Sequence, residues 1–196
     1  MIKEKFEFNP FAGVLEEDLE QILVPVFNVA DIIDEIKHTE SLAIEFLGKQ
    51  GRGKTTHLRY LHRQLNEYPL FLLSKTNANL HTILENKDSV VFVDSIHHLS
   101  VFERIQLFKA KRVVIYTTHW SRKYACVLTN KKHYSISFKG ITVTILRNIL
   151  DRRLRLASNG TIHINDVFTN NDLRVLIKRF GDNYRGILNY LYEQYQ

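Results

Sequence analysis

Residues 48–56 read Gly-Lys-Gln-Gly-Arg-Gly-Lys-Thr-Thr, and no other stretch limits the folds open to this chain so strongly. The stretch satisfies G-x-x-x-x-G-K-[ST], a loop whose backbone N–H groups cradle phosphate when a strand precedes it and a helix follows. Both flanks fit. Leu42-Ala43-Ile44-Glu45-Phe46-Leu47 is a short, mostly apolar run of strand length, and Lys54 to Glu67 sets Leu58, Leu61 and Leu65 at helical spacing. Three of the chain's 8 glycines fall in this one loop, which argues against a chance match. Amides at the start of a helix, aided by the helix dipole, form an anion site. Lys54 reaches the β- and γ-phosphates, and the Thr55 hydroxyl is suited to Mg²⁺. Gly48, Lys49, Gln50, Gly51, Arg52, Gly53, Lys54, Thr55 and Thr56 are therefore the candidate nucleotide-binding residues.

The chain around the loop alternates between two periodicities. Strands are expected at Leu70–Leu73, Ser89–Asp94, Arg112–Thr117 and Tyr134–Phe138. Helices are expected at Asn28–His38, at Asn77–Asn86, and at Ser100–Ala110, where Ser100 and Glu103 make a capping-box pattern. Strands separated by helices imply a parallel sheet covered on both faces. From Thr142 onward only helical spacing remains, over Thr142–Ala157, Asn171–Phe180 and Asn183–Tyr195. The expected fold is a three-layer α/β phosphate-loop core with a five-stranded parallel sheet, followed by a small helical lid. The expected domains are an acidic lead-in over 1–24, with Pro25 ending its short helix, a nucleotide-binding core over 25–140, and the lid over 141–196.

Bulk properties narrow the function class. No apolar run approaches the ~18 residues of a membrane span. Met1-Ile-Lys-Glu-Lys-Phe-Glu7 is charged and opens no apolar stretch, unlike a secretory leader. The lone cysteine, Cys126, fits a reducing cytoplasm and a buried site. Residues 1–40 hold 10 acids against 3 bases, while residues 41–196 hold 11 against 24. The chain is thus an acidic arm on a basic body. The arm can lie across its own body or across a neighbour.

Asp94 is the second anchor. An acid ending an apolar strand some 40 residues after the loop stands where a metal-binding aspartate belongs, so Thr55 and Asp94 are the candidate Mg²⁺ ligands. Ser95 follows it, where many such ATPases carry a glutamate that orients the attacking water. The expectation is nucleotide binding with slow hydrolysis, unless another acid such as Glu45 reaches in; Glu103, on the following helix, reads as solvated. Thr117, Thr118 and His119 end the fourth strand, and Thr118 is the preferred contact to the γ-phosphate or its water. His97, His98 and His119 lack the spacing and cysteine partners of a transition-metal site.

Taken together these pieces resemble the AAA+ ATPase family over roughly residues 25–196. Gly48 to Thr55 and Val90 to Asp94 supply the two Walker motifs, and Thr117-Thr118 stands in the sensor-1 position. Phe180-Gly-Asp-Asn-Tyr-Arg-Gly-Ile-Leu-Asn-Tyr-Leu191 is similar to the sensor-2 pattern of clamp loaders and origin-recognition ATPases, although its Asp182-to-Arg185 spacing is one residue longer than the commonest pattern. The resemblance implies ATP and Mg²⁺ as cofactors, Lys54, Asp94, Thr118 and Arg185 as catalytic residues, and homo-oligomers with ATP between subunits. It also implies an arginine finger, for which Arg122, Arg152 and Arg153 compete. Two basic groups, Arg147/Arg152/Arg153/Arg155 and Lys131/Lys132/Lys139, suit either contact with DNA or RNA phosphate or a solvated surface. The implied function is an ATP-driven assembly switch acting on a protein or nucleic-acid partner. The alternatives are a nucleotide-gated binding module without turnover and a small-molecule kinase.

Overall fold

The computed structural model describes residues 5–13 and 15–196. The first four residues of the charged start and of the acidic lead-in lie outside the described residues. Among the described residues, no helix is long and apolar enough to cross a membrane. The chain forms two compact units. One contains residues 26–49 and 54–138, and the other contains the described residues up to 25 together with residues 50–53 and 139–196.

The first unit is built on five parallel strands, β1 (Leu42–Leu47), β2 (Leu70–Leu72), β3 (Val90–Asp94), β4 (Val113–Thr118) and β5 (Lys132–Ser137), in the order β2-β3-β4-β1-β5. Parallel sheets carry helices on both faces, so their central strands read as unbroken apolar runs. Side chains on successive strand residues still point to opposite faces, and they divide cleanly here. Leu42, Ile44, Phe46, Val90, Phe92, Val113 and Ile115 pack with Ile32 and Ile36 of helix α2 (Val29–His38) and with Leu58 and Leu61 of helix α3 (Lys54–Arg63). Helix α2 is the second in chain order, after the short α1 (Leu19–Ile22). Ala43, Val91, Val93, Val114 and Tyr116 pack on the other face with three helices: α4 (Leu80–Glu85), α5 (Val101–Ala110) and α6 (Lys123–Leu128).

Local chemistry sets the helix starts. The Asn28 and Asn79 side chains accept from Ala30 N and His81 N, satisfying donors that the first turn leaves open. Ser100 and Glu103 form the expected reciprocal capping box. Besides shifted bounds at β5 and α4, two features depart from the sequence expectation. Helix α3 stops at Arg63 rather than Glu67, because Gln64 N and Leu65 N bond three residues back to Leu61 O and His62 O and tighten the chain into turns. Helix α6 was not expected at all.

The second unit is helical. Its α7 (Val143–Ala157), α8 (Asn170–Phe180) and α9 (Tyr184–Gln194) enclose Leu146, Leu150, Leu154, Leu173, Leu176, Ile187 and Leu191. The lead-in belongs to this unit. Phe11 is buried, with its ring centroid 5.0 Å from Tyr195, and Glu7 N donates to Ala157 O at 2.8 Å. Arg153 is buried and donates to Pro10 O and Ala12 O, while Arg152 donates to Leu23 O. Burial depresses the Arg153 pKa, with the neighbouring Tyr184 opposing that shift.

Candidate nucleotide-binding site

The loop leaves β1 at Gly48 and enters α3 at Lys54. Gly51 and Gly53 adopt φ of +80° and +83°, which a side chain disfavours. At Gly51 an added Cβ would also stand 2.4 Å from Asn183 Oδ1. Arg52 is paired with the Asp182 carboxylate, so the loop tip, which groups with the helical unit, is held by the residues that join α8 to α9. In the other unit, Lys54 is buried and donates to Lys49 O at 2.8 Å.

Thr55 and Asp94 come together, although 39 residues separate them in the chain. Thr55 Oγ1 lies 3.1 Å from both Asp94 carboxylate oxygens. The cause is parity. Val90 and Phe92 face the α3 side, so Asp94 does too, at the strand end where α3 begins. The same rule selects the β4 contact. Thr117 continues the Val113–Ile115 face, and its hydroxyl donates to Asp94 Oδ1 at 2.5 Å and accepts from Ser95 N at 2.8 Å. Thr118 is fully buried toward the opposite face and donates to Trp120 O at 3.0 Å. The structure therefore brings Lys54, Thr55, Asp94 and Thr117 to one face of the sheet, and Thr118 does not join them. Arg185 is exposed in the first turn of α9.

Ser95 holds φ 63° and ψ 46°, a left-handed conformation that costs a non-glycine residue free energy. Neither acid named from the sequence stands beside Asp94. Glu103 is used in its capping box, which lowers its pKa through the Ser100 hydroxyl. Glu45 is fully buried on the other face and accepts from Arg122 N at 2.6 Å, Ser135 Oγ at 3.0 Å and Tyr116 Oη at 3.2 Å. Burial, followed by the Glu45 charge, pushes the Tyr116 pKa up. His133 Nε2 stands 3.4 Å from Glu45 Oε2 without hydrogen-bond geometry.

Three imidazoles stand in a row that begins beside the loop. His119 Nδ1 lies 3.2 Å from Gly48 O and 3.5 Å from Lys54 Nζ. Its ring is 4.7 Å from that of His97, which is 4.3 Å from that of His98. Burial first, then the positive charges of His98, His119, Arg122 and Lys54, pull the His97 pKa down to about 4. The basic groups singled out from the sequence are largely engaged. Arg147 bonds Asn165 and Asn170, Arg155 pairs with Asp151, Lys132 pairs with Glu35, and Lys131 is buried against Lys111 O and Arg112 O.

No family model and no curated protein sequence matches the chain. Solved structures do. The chain is similar to the Thermotoga maritima RuvB Holliday junction branch migration motor, at TM-score 0.54 and 18% identity over 97% of this chain and 64% of that one. It is similar to AMPPCP-bound DnaA from Aquifex aeolicus, at TM-score 0.52 and 14% identity over 90% of this chain and 68% of that one. A DNA replication initiation factor matches at TM-score 0.52 and 12% identity, over 90% and 67% of the two chains. The chain spans about three fifths of the RuvB chains it matches, 62% in one and 61% in another. Identity this low carries the architecture alone. The five-stranded parallel sheet, the phosphate-loop position and the helical C-terminal part together give this chain the fold of the AAA+ P-loop ATPases.

Proposed function

We propose that the chain binds Mg-ATP and hydrolyses it slowly, using the bound nucleotide as a switch for assembly and conformation that acts on a protein or nucleic-acid partner. One observation carries this reading: the Thr55 hydroxyl lies 3.1 Å from both oxygens of Asp94 beside the phosphate-loop lysine. These are hard oxygen donors. Mg²⁺ is commonly held by one or two protein oxygens with the rest supplied by phosphate and water, so Thr55 and Asp94 fit it. When bound, Mg²⁺ neutralises charge on the β- and γ-oxygens. In this reading Lys54 and the amides of Gly48 to Thr56 hold phosphate, and Thr117 positions Asp94. On the family resemblance Arg185 and the β4 end, Thr117-Thr118, enter as phosphate-sensing positions, and of that pair Thr117 is the one bonded to Asp94. Slow turnover is supported by Ser95, which lacks a carboxylate, and by the engagement of Glu45 and Glu103 elsewhere. A lone buried cysteine is in keeping with a cytoplasmic setting.

The test is a titration of labelled ATP against wild type, Lys54→Ala and Asp94→Asn, with and without Mg²⁺. It is paired with the solution mass in Mg-ATP, with and without short duplex DNA. We expect Lys54→Ala to weaken ATP binding by about tenfold or more, or roughly 1.4 kcal/mol. Asp94→Asn is expected to remove the Mg²⁺ dependence. Unchanged binding in Lys54→Ala refutes the site. A mass that stays constant while ATP binds refutes the assembly switch.

A further inference from the structure

We propose that His97, His119 and Arg122 complete, within a single chain, a binding site for the terminal phosphate of the nucleoside triphosphate that Lys54 holds. The inference rests on the nucleotide-binding reading above and assigns residues that the phosphate loop does not contain.

The argument begins with polar atoms that lack partners. Among the described residues, His97 Nδ1 and Arg122 Nε are both buried from solvent and have no hydrogen-bond partner, an uncommon state for buried polar atoms. Arg122 and Lys54, both cations, act on the His97 ring, and the His98 ring lies 4.3 Å from it. His119 links the cluster to the loop, with Nδ1 at 3.2 Å from Gly48 O and 3.5 Å from Lys54 Nζ, and its ring is 4.7 Å from that of His97. The Arg122 guanidinium and the Lys54 ammonium repel one another, and an anion beside them offsets that repulsion and supplies a partner for the buried nitrogens.

The placement of Arg122 is itself built. Glu45, fully buried, accepts the Arg122 backbone N–H at 2.6 Å and also accepts from the Ser135 and Tyr116 hydroxyls. The carboxylate thus fixes the arginine's main chain without consuming its guanidinium. The lysine of this loop type reaches the β- and γ-phosphates, so an anion beside Lys54 at the cluster is the terminal one. An arginine there places positive charge on the transferring phosphoryl group from the same chain, where many relatives of this mechanism borrow one from a neighbour.

The experiment measures fluorescent ATP and ADP binding to wild type, Arg122→Gln, Arg122→Lys and His97→Gln, at dilutions where the protein is monomeric. Inorganic tripolyphosphate is read in parallel by thermal shift. The proposal expects Arg122→Gln to lose about tenfold or more in ATP affinity with ADP affinity within about twofold, Arg122→Lys to recover part, and His97→Gln to shift the same way. Unchanged ATP affinity in Arg122→Gln overturns it, as does an equal loss for ATP and ADP. Rescue of Arg122→Gln by excess Lys54→Ala protein also overturns it, because the arginine would then act from a neighbour. If wild type binds tripolyphosphate in an Arg122-dependent way but neither nucleotide, the phosphate site stands and the nucleotide reading falls. If it binds none of the three, both fall.

Discussion

Replacing Thr117 with valine keeps the volume and branching of the side chain and deletes one oxygen. That oxygen is 2% exposed at the residue level and serves two partners: it donates to Asp94 Oδ1 at 2.5 Å and accepts from Ser95 N at 2.8 Å. Loss of a hydrogen bond to a carboxylate costs about 1.5–3 kcal/mol, and a buried N–H left without an acceptor costs about 1–3 kcal/mol. The added methyl returns about 0.8 kcal/mol, and Asp94 keeps the Thr55 hydroxyl. The net expectation for Thr117→Val is a loss of about 2–5 kcal/mol. Thr118→Val removes one neutral bond, to Trp120 O at 3.0 Å, and should cost about 1 kcal/mol. Urea unfolding followed by circular dichroism compares the two. With a slope of about 2 kcal/mol/M, a gap of about 2 kcal/mol separates the midpoints by about 1 M. Equal midpoints, or a larger loss in Thr118→Val, would refute the assignment of Thr117 to the Asp94 face.

Three further outcomes are expected. Ser95→Glu should raise ATP turnover, measured as phosphate release, by about tenfold or more if the site lacks only the water-orienting carboxylate; an unchanged rate in a stably folded variant counts against that view. Cys126 is buried and its thiol is pushed up to about 11, by burial first, so iodoacetamide at pH 8 should leave the native protein unmodified and label it in urea; rapid native labelling would show that the thiol is accessible. Burial holds Lys131 down to about 8, below its unfolded value of about 10.4, so between those pH values the unfolded chain binds more protons and stability rises with pH. The stability difference between wild type and Lys131→Met should therefore grow from pH 7.5 to 9.5, and parallel urea midpoints would exclude the shift.

The architecture was legible because its signals are local. The Gly48–Thr56 pattern, the apolar runs that became β1, β3 and β4, and the caps at Asn28 and Ser100 each specify their conformation within a few residues. Helix α6 escaped notice because its six residues span too few turns to display a period, and it presents Val127 and Leu128 to solvent. Strand parity was the unread signal. Alternation from Phe92 and Ile115 already places Asp94 and Thr117 together and turns Thr118 away.

By itself the sequence determined the order of strands and helices, the loop with its lysine and threonine, and an aspartate at the end of an apolar strand. Only the tertiary structure decided which polar groups meet. Glu45 lies in an apolar run, and its role depends on acceptor capacity taken up by Tyr116, Arg122 and Ser135, the last 90 residues away. Arg153 reads as one charge on a basic helix, yet it is buried against the carbonyl of Pro10, 143 residues distant. Periodicity and capping are settled within a turn or two of the chain. The partner of a buried charge is settled by which distant backbone the fold brings to it, because a buried donor must be satisfied wherever its acceptor comes from.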